Sequence, residues 1–227
     1  MTSIIIFIVI AIASYVIQAS LKSKFERYSK ETIPGGMTGR DVAIKMLHDN
    51  GIYDVTVVST RGMLTDFYNP ANKTVNLSEG VYASCSVAAA AVAAHECGHA
   101  VQHATKYSFL QLRSKLVPAV SFASRWISWL LLAGILLLHV MPGILFAGII
   151  LFALTTLFSF VTLPVEIDAS RRALLWLNQT GITSGTSHEH ATDALKSAAY
   201  TYVIAALGSL ATLIYYVMIF LGGQRDE

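Results

Sequence analysis

The chain has 227 residues, of which 54% are hydrophobic and only 13% charged, and its formal net charge is +2. An ordinary soluble domain carries about 25% charged residues, so this composition excludes a soluble globular protein and indicates a membrane protein. So small a net charge gives no footprint for a nucleic-acid partner either.

In chain order, Ser3 to Ala19 (SIIIFIVIAIASYVIQA) is a first predicted span. It has neither a basic leader nor a clear cleavage site, so a retained anchor is expected rather than a removed signal peptide. A basic, polar connector from Ser20 to Glu31 follows, and Ile33-Pro34-Gly35-Gly36 breaks the chain. Thr38-Gly39-Arg40-Asp41 has the form of a capping box, and Val42, Ala43, Met46 and Leu47 place one apolar face on the short helix that Asn50-Gly51 closes. Val55 and Val57 alternate with polar neighbours, Arg61-Gly62 marks a turn, and Thr74 to Leu77 alternates again, which predicts a small two- or three-stranded sheet. Thr74 to Ser78 is expected to be an edge strand, able to lay an extended substrate across the site by strand addition.

A single helix is predicted from about Glu79 to Lys106, and it carries His95-Glu96-Cys97-Gly98-His99, an HExxH box. Residues four apart lie on one helical face, so the imidazoles of His95 and His99 can converge on one cation, an arrangement suited to tetrahedral zinc. Glu96 is rotated by about 100° from His95, out of the ligand set yet near enough to act as general base. Cys85 and Cys97, the two cysteines, are expected to be small buried residues without a disulfide.

Ala119 to Val165 is too long for one crossing, and Pro142-Gly143 near its centre splits it into a helical hairpin. Ala198 to Gly223 supplies a fourth span. The predicted organisation is therefore a transmembrane helix at 1–20, a membrane-surface catalytic region at 21–118, the hairpin at 119–165, a third-ligand helix and loop at 166–197, and the last span at 198–223. The fold class is a mainly α membrane protein, with about four transmembrane helices and a small α+β zincin-like catalytic portion. Fifteen of the sixteen Lys and Arg residues fall on the side of the box, and only Arg225 lies beyond the last span. The positive-inside rule then puts the site on the cytoplasmic side and both termini outside. The two glycosylation sequons, at Asn72 and Asn178, are chance matches on that side.

A zinc site needs a third protein ligand. His103 continues the row of His95 and His99, but it is eight residues from His95, about 12 Å along a helix, and cannot share an ion held at about 2.0–2.1 Å. Glu166 is the better candidate: it follows Pro164 at the end of the third span, and Ala169, Ser170 and Ala173 leave room for an approaching helix. Asp168 points about 200° away and is expected to pair with Arg171 or Arg172. Two spans separate the box from Glu166, so the chain crosses and returns to the same face.

The segments LTDFYNP, AAHECGHAVQH and LPVEIDASRRAL resemble those of YugP-type neutral zinc metallopeptidases, integral-membrane proteins with the same box and a downstream glutamate. The resemblance covers nearly the whole chain after the first span. It implies one zinc ion held by His95, His99 and Glu166, with Glu96 catalytic and a gluzincin-like peptidase activity. The chain is also similar to the HtpX and CAAX-prenyl proteases, whose third-ligand segment reads E-x-x-A-D. Ser170 stands where that aspartate would be, and Phe67 and Asn69 depart from an expected LTDHYDP. An oxyanion donor is sought after Glu166 among His188, His190, Tyr200 and Tyr202, and their spacing selects none of them.

The expected substrate is a polypeptide at the membrane, with the lipid bilayer as a second partner and an adaptor or oligomer as further ones. An intramembrane protease would need a later span containing a ligand aspartate, and the last three spans have no Asp; a di-iron oxygenase would need more histidine than seven residues provide. The competing class is a non-enzymatic membrane scaffold or adaptor with a structural or regulatory zinc site. Structural sites are usually closed by four protein ligands, whereas three ligands and an intact Glu96 favour catalysis.

Overall fold

The computed structural model describes residues 2–223, and Arg225 lies outside them. Seven helices and three strands follow in chain order: α1 (Thr2–Tyr28), α2 (Gly39–Asp49), β1 (Thr56–Thr60), β2 (Phe67–Asn69), β3 (Thr74–Ser78), α3 (Glu79–Tyr82), α4 (Val87–Ala104), α5 (Ser108–Leu136), α6 (Pro142–Gln179) and α7 (Gly185–Gly223). Helices α1, α5, α6 and α7 are each long and apolar enough to cross a membrane. Pro142 opens α6 at the first helical position, where its missing N–H costs nothing, so the middle apolar stretch does divide into two helices at Pro142-Gly143.

The chain divides into two compact units. One comprises the described parts of Met1–Tyr15, Gln111–Leu163 and Thr201–Glu227. Its interior holds Leu131, Leu145 and Ile149, and close helix approach there depends on glycine: a Cβ on Gly134 would lie 2.5 Å from the Leu145 backbone.

The other unit comprises Val16–Leu110 and Pro164–Tyr200. Helix α2 begins as its sequence dictates. The Thr38 side chain accepts from the Asp41 amide and the Asp41 carboxylate accepts from the Thr38 amide, which together satisfy two otherwise orphaned N–H groups. The Thr38 hydroxyl, which also donates to Asp41 Oδ2 (2.6 Å), and the Thr38 amide hold the Asp41 carboxyl below the usual carboxylate range. Its contribution to the cap is therefore present near neutral pH and is lost as pH falls through that lowered value.

The sheet has the order β1-β3-β2, with β1 parallel and β2 antiparallel to β3. This overturns the expected edge position of Thr74–Ser78: β3 is the central strand, flanked on both sides, and Val75 and Leu77 are buried in the core. Strand addition onto β3 is thereby excluded, and the edges are β1 and β2.

The single box helix expected from Glu79 to Lys106 is in fact two. Ser84 and Ser86 interrupt it: Ser84 Oγ accepts from the Ser86 amide, and Ser86 Oγ caps α4 by accepting from the Ala89 amide. Such local side-chain bonds compete with the helical ladder and favour caps over helix interiors. The alanine-rich start of α4 is then buried, with Ala88, Ala91, Ala93 and Ala94 all fully covered, so small side chains let neighbouring elements close on this helix.

Candidate metal centre

Helix α4 presents His95 and His99 toward Glu166 on α6. The approach of these two helices depends on Gly98, because a Cβ there would lie 2.6 Å from the Ala169 carbonyl oxygen. Ala169 and Ala173 on α6 are fully buried, so small residues line both sides of the crossing. Gly98→Ala is expected to push the helices apart and to lower stability by about 1–3 kcal/mol, the usual cost of overpacking, which thermal unfolding would measure.

At this crossing His95, His99 and Glu166 each offer one ligand atom, and the three atoms lie within 4.8 Å of one another. Glu166 Oε2 is 3.3 Å from His95 Nε2 and 3.5 Å from His99 Nε2. Zinc bonds of about 2.0–2.2 Å in a tetrahedron put ligand atoms roughly 3.3–3.6 Å apart, so these separations fit that ion. The two rings meet edge to face, 4.8 Å between centroids.

Each imidazole is held from behind. His95 Nδ1 lies 3.0 Å from Ser170 Oγ, and His99 Nδ1 lies 3.1 Å from Gln102 Oε1. With both Nδ1 atoms occupied, both Nε2 atoms face Glu166, the arrangement in which a histidine ligand is oriented by a partner on its other nitrogen. Ser170 thus supplies, from the position of the expected aspartate, a contact to the first histidine of the box.

Glu96 is 8% exposed, and its Oε2 accepts from the backbone N–H of Tyr68 on strand β2 (3.0 Å). Burial pushes the Glu96 carboxyl above the usual carboxylate range, opposed in part by the imidazoles of His95 and His99. Strand β2 is itself anchored. Asp66, just before it, accepts from the Ser78 amide (2.7 Å) and hydroxyl at the end of β3.

The remaining candidates are placed elsewhere. Asp168 accepts from Arg172 Nε at 2.6 Å, the pairing its helix position implied. His103 is exposed, outside the ligand group, and its Nδ1 lies 2.8 Å from the Tyr68 hydroxyl. His190 Nδ1 lies 2.6 Å from Glu31 Oε2, its ring stacked on Tyr28, and His188 Nδ1 lies 2.9 Å from Thr183 Oγ1. Tyr200 is exposed at its unit's edge, and Tyr202 belongs to the other unit. Cys97 is fully buried with its thiol raised well above the usual range by burial, which makes it inert packing. Three contributors were missed by sequence reasoning: the Tyr68 backbone, Gln102 and the Ser170 contact. A signal for Gln102 was present, since a polar residue three positions after His99 lies on the same helical face.

A family model described as "Putative neutral zinc metallopeptidase" matches residues 3–221. "Putative membrane protease YugP" of Bacillus subtilis (strain 168) is 44% identical over 226 residues, which is 98% of this chain and 99% of that relative. No solved structure matches.

Proposed function

Because the chain belongs to the family described as putative neutral zinc metallopeptidases, we propose that it is an integral-membrane peptidase that hydrolyses peptide bonds with one zinc ion held by His95, His99 and Glu166. The observation that carries this reading is the convergence of those three ligand atoms within 4.8 Å, with Glu166 Oε2 at tetrahedral spacing from both imidazoles and the buried Glu96 next to His95 in sequence. Three protein donors among the described residues leave a coordination position for water and substrate, as in catalytic rather than structural zinc sites.

When bound there, zinc supplies a Lewis acid that lowers the pKa of water and polarises the scissile carbonyl. Glu96 accepts the proton of the attacking water and returns it to the leaving amine. A carboxyl raised by burial has a higher proton affinity than a solvated one, which suits that exchange. The Tyr68 N–H holds Glu96 in one orientation while leaving its second oxygen to work. Ser170 and Gln102 hold the imidazole rings.

The site faces the cytoplasm, both termini lie outside, and the substrate is a membrane-associated polypeptide. The distribution of Lys and Arg supports the orientation, and a site fixed near the bilayer meets membrane-bound chains at high effective concentration. The test is one experiment with an added, impermeant unfolded polypeptide. Inverted membrane vesicles carrying the protein are expected to cleave it, a zinc chelator to stop cleavage and added zinc to restore it, while right-side-out vesicles leave it intact. Cleavage only by right-side-out vesicles would reverse the topology. Stoichiometric zinc without cleavage in either preparation would replace the enzyme reading with a scaffold.

A further inference from the structure

We propose that Gln102 is the positioning residue that fixes His99 as a zinc ligand. It does so by accepting a hydrogen bond from His99 Nδ1–H while its amide nitrogen ties α4 to the turn of α6 that carries Glu166. This inference rests on the zinc reading of the site.

Gln102 is completely buried, where an amide is costly unless every polar atom is matched. Its Nε2 lies 2.8 Å from the Val165 carbonyl oxygen and 2.8 Å from Asp168 Oδ2, and both of those atoms can only accept. The amide is therefore oriented with its NH₂ toward α6 and its oxygen toward His99. An amide oxygen cannot donate, so the bond between Gln102 Oε1 and His99 Nδ1 requires the proton on Nδ1. In the neutral ring Nε2 then carries the lone pair, on the side that faces Glu166, and this is the tautomer that binds a metal.

The other histidine is held differently. Ser170 has a hydroxyl that can donate or accept, so its bond to His95 orients the ring without choosing its tautomer. Gln102 also reaches further than His99: Val165 is adjacent to Glu166, so one side chain spaces the second histidine against the carboxylate ligand. Asp168, in turn, is held in place by Arg172, which makes the acceptor end of the network rigid.

The test compares full-length wild type with Gln102→Met, which keeps the volume and loses all three bonds, and Gln102→Glu. The glutamate still accepts from His99 in either ionisation state. Burial beside the Asp168 carboxylate favours its neutral form, which can also donate to that group. Beside peptide cleavage by the wild type, three quantities are read: zinc affinity by competition with a chromogenic chelator, the His99 Nδ1–H resonance of the zinc-loaded, ¹⁵N-histidine-labelled protein, and thermal unfolding of the metal-free forms. Gln102→Met is expected to weaken zinc binding by about 10–100-fold and to lose the protected ring proton. Gln102→Glu is expected to bind within a few-fold of wild type and to keep that proton.

Unchanged zinc affinity and ring proton in Gln102→Met would overturn the proposal. So would equal weakening of both variants in step with a fall in unfolding temperature, which is the signature of packing alone. A wild type that binds no zinc would remove the metal site and this role with it. A wild type that binds zinc but cuts nothing would fail the peptidase reading, and the variant affinities would still decide the role of Gln102.

Discussion

Glu96→Gln is expected to keep one zinc ion and to lower kcat/KM by about 10²–10⁴-fold, the range that a positioned general base contributes. The substitution keeps the shape of the side chain, and the amide oxygen can still accept from the Tyr68 N–H that holds Glu96. What is lost is the capacity to take a proton from water. Because the fall comes from the chemical step, it should appear in kcat while KM stays near the wild-type value. Stability should move the other way or not at all, since burial already disfavours the Glu96 charge and a neutral amide escapes that cost. Zinc analysis, peptide kinetics and thermal unfolding on one detergent preparation cover all three expectations. A variant that retained a tenth of wild-type activity would show that the proton acceptor is another group.

The parts of the site that share one helix were readable from spacing, because the i, i+4 relation of His95 and His99 is fixed by helical geometry. Glu166 was reachable by a different route: a carboxylate at the end of an apolar span, followed by small residues, marks where another helix can come close, and Gly98 meets Ala169 there. Strand order was not readable in this way. Val75 and Leu77 alternate with polar residues in β3 as they would in an edge strand, and only the parallel pairing with β1, some eighteen residues earlier in register, makes β3 central. The break between α3 and α4 depends on Ser84 and Ser86 bonding to each other and to the next turn, which a run of alanines in the same window conceals. The contacts from Ser170 and Gln102 join residues 75 and 63 or more positions apart, to His95 on one side and to Val165 and Asp168 on the other, and no local pattern encodes such pairs.

Glu166→Ala is expected to weaken zinc binding by more than about 100-fold and to remove activity with it, exceeding what loss of an orienting partner costs. Two neutral imidazoles carry no charge, so as third ligand Glu166 would balance part of the cation's charge, at a position only 3% exposed where water can do little of that work. Removing it also leaves His95 and His99 without the oxygen that lies 3.3 Å and 3.5 Å from their Nε2 atoms. The pair of substitutions separates the roles of two buried carboxylates: the Glu96 variant is expected to lose cleavage and keep zinc, and the Glu166 variant to lose both. Added zinc gives the sharper discrimination. It should rescue part of the Glu166→Ala activity at high concentration, since Glu96 is still in place, but none of the Glu96→Gln activity at any concentration. Full zinc occupancy in Glu166→Ala would assign the third ligand elsewhere, and zinc rescue of Glu96→Gln would mean that its defect lay in binding rather than in proton transfer.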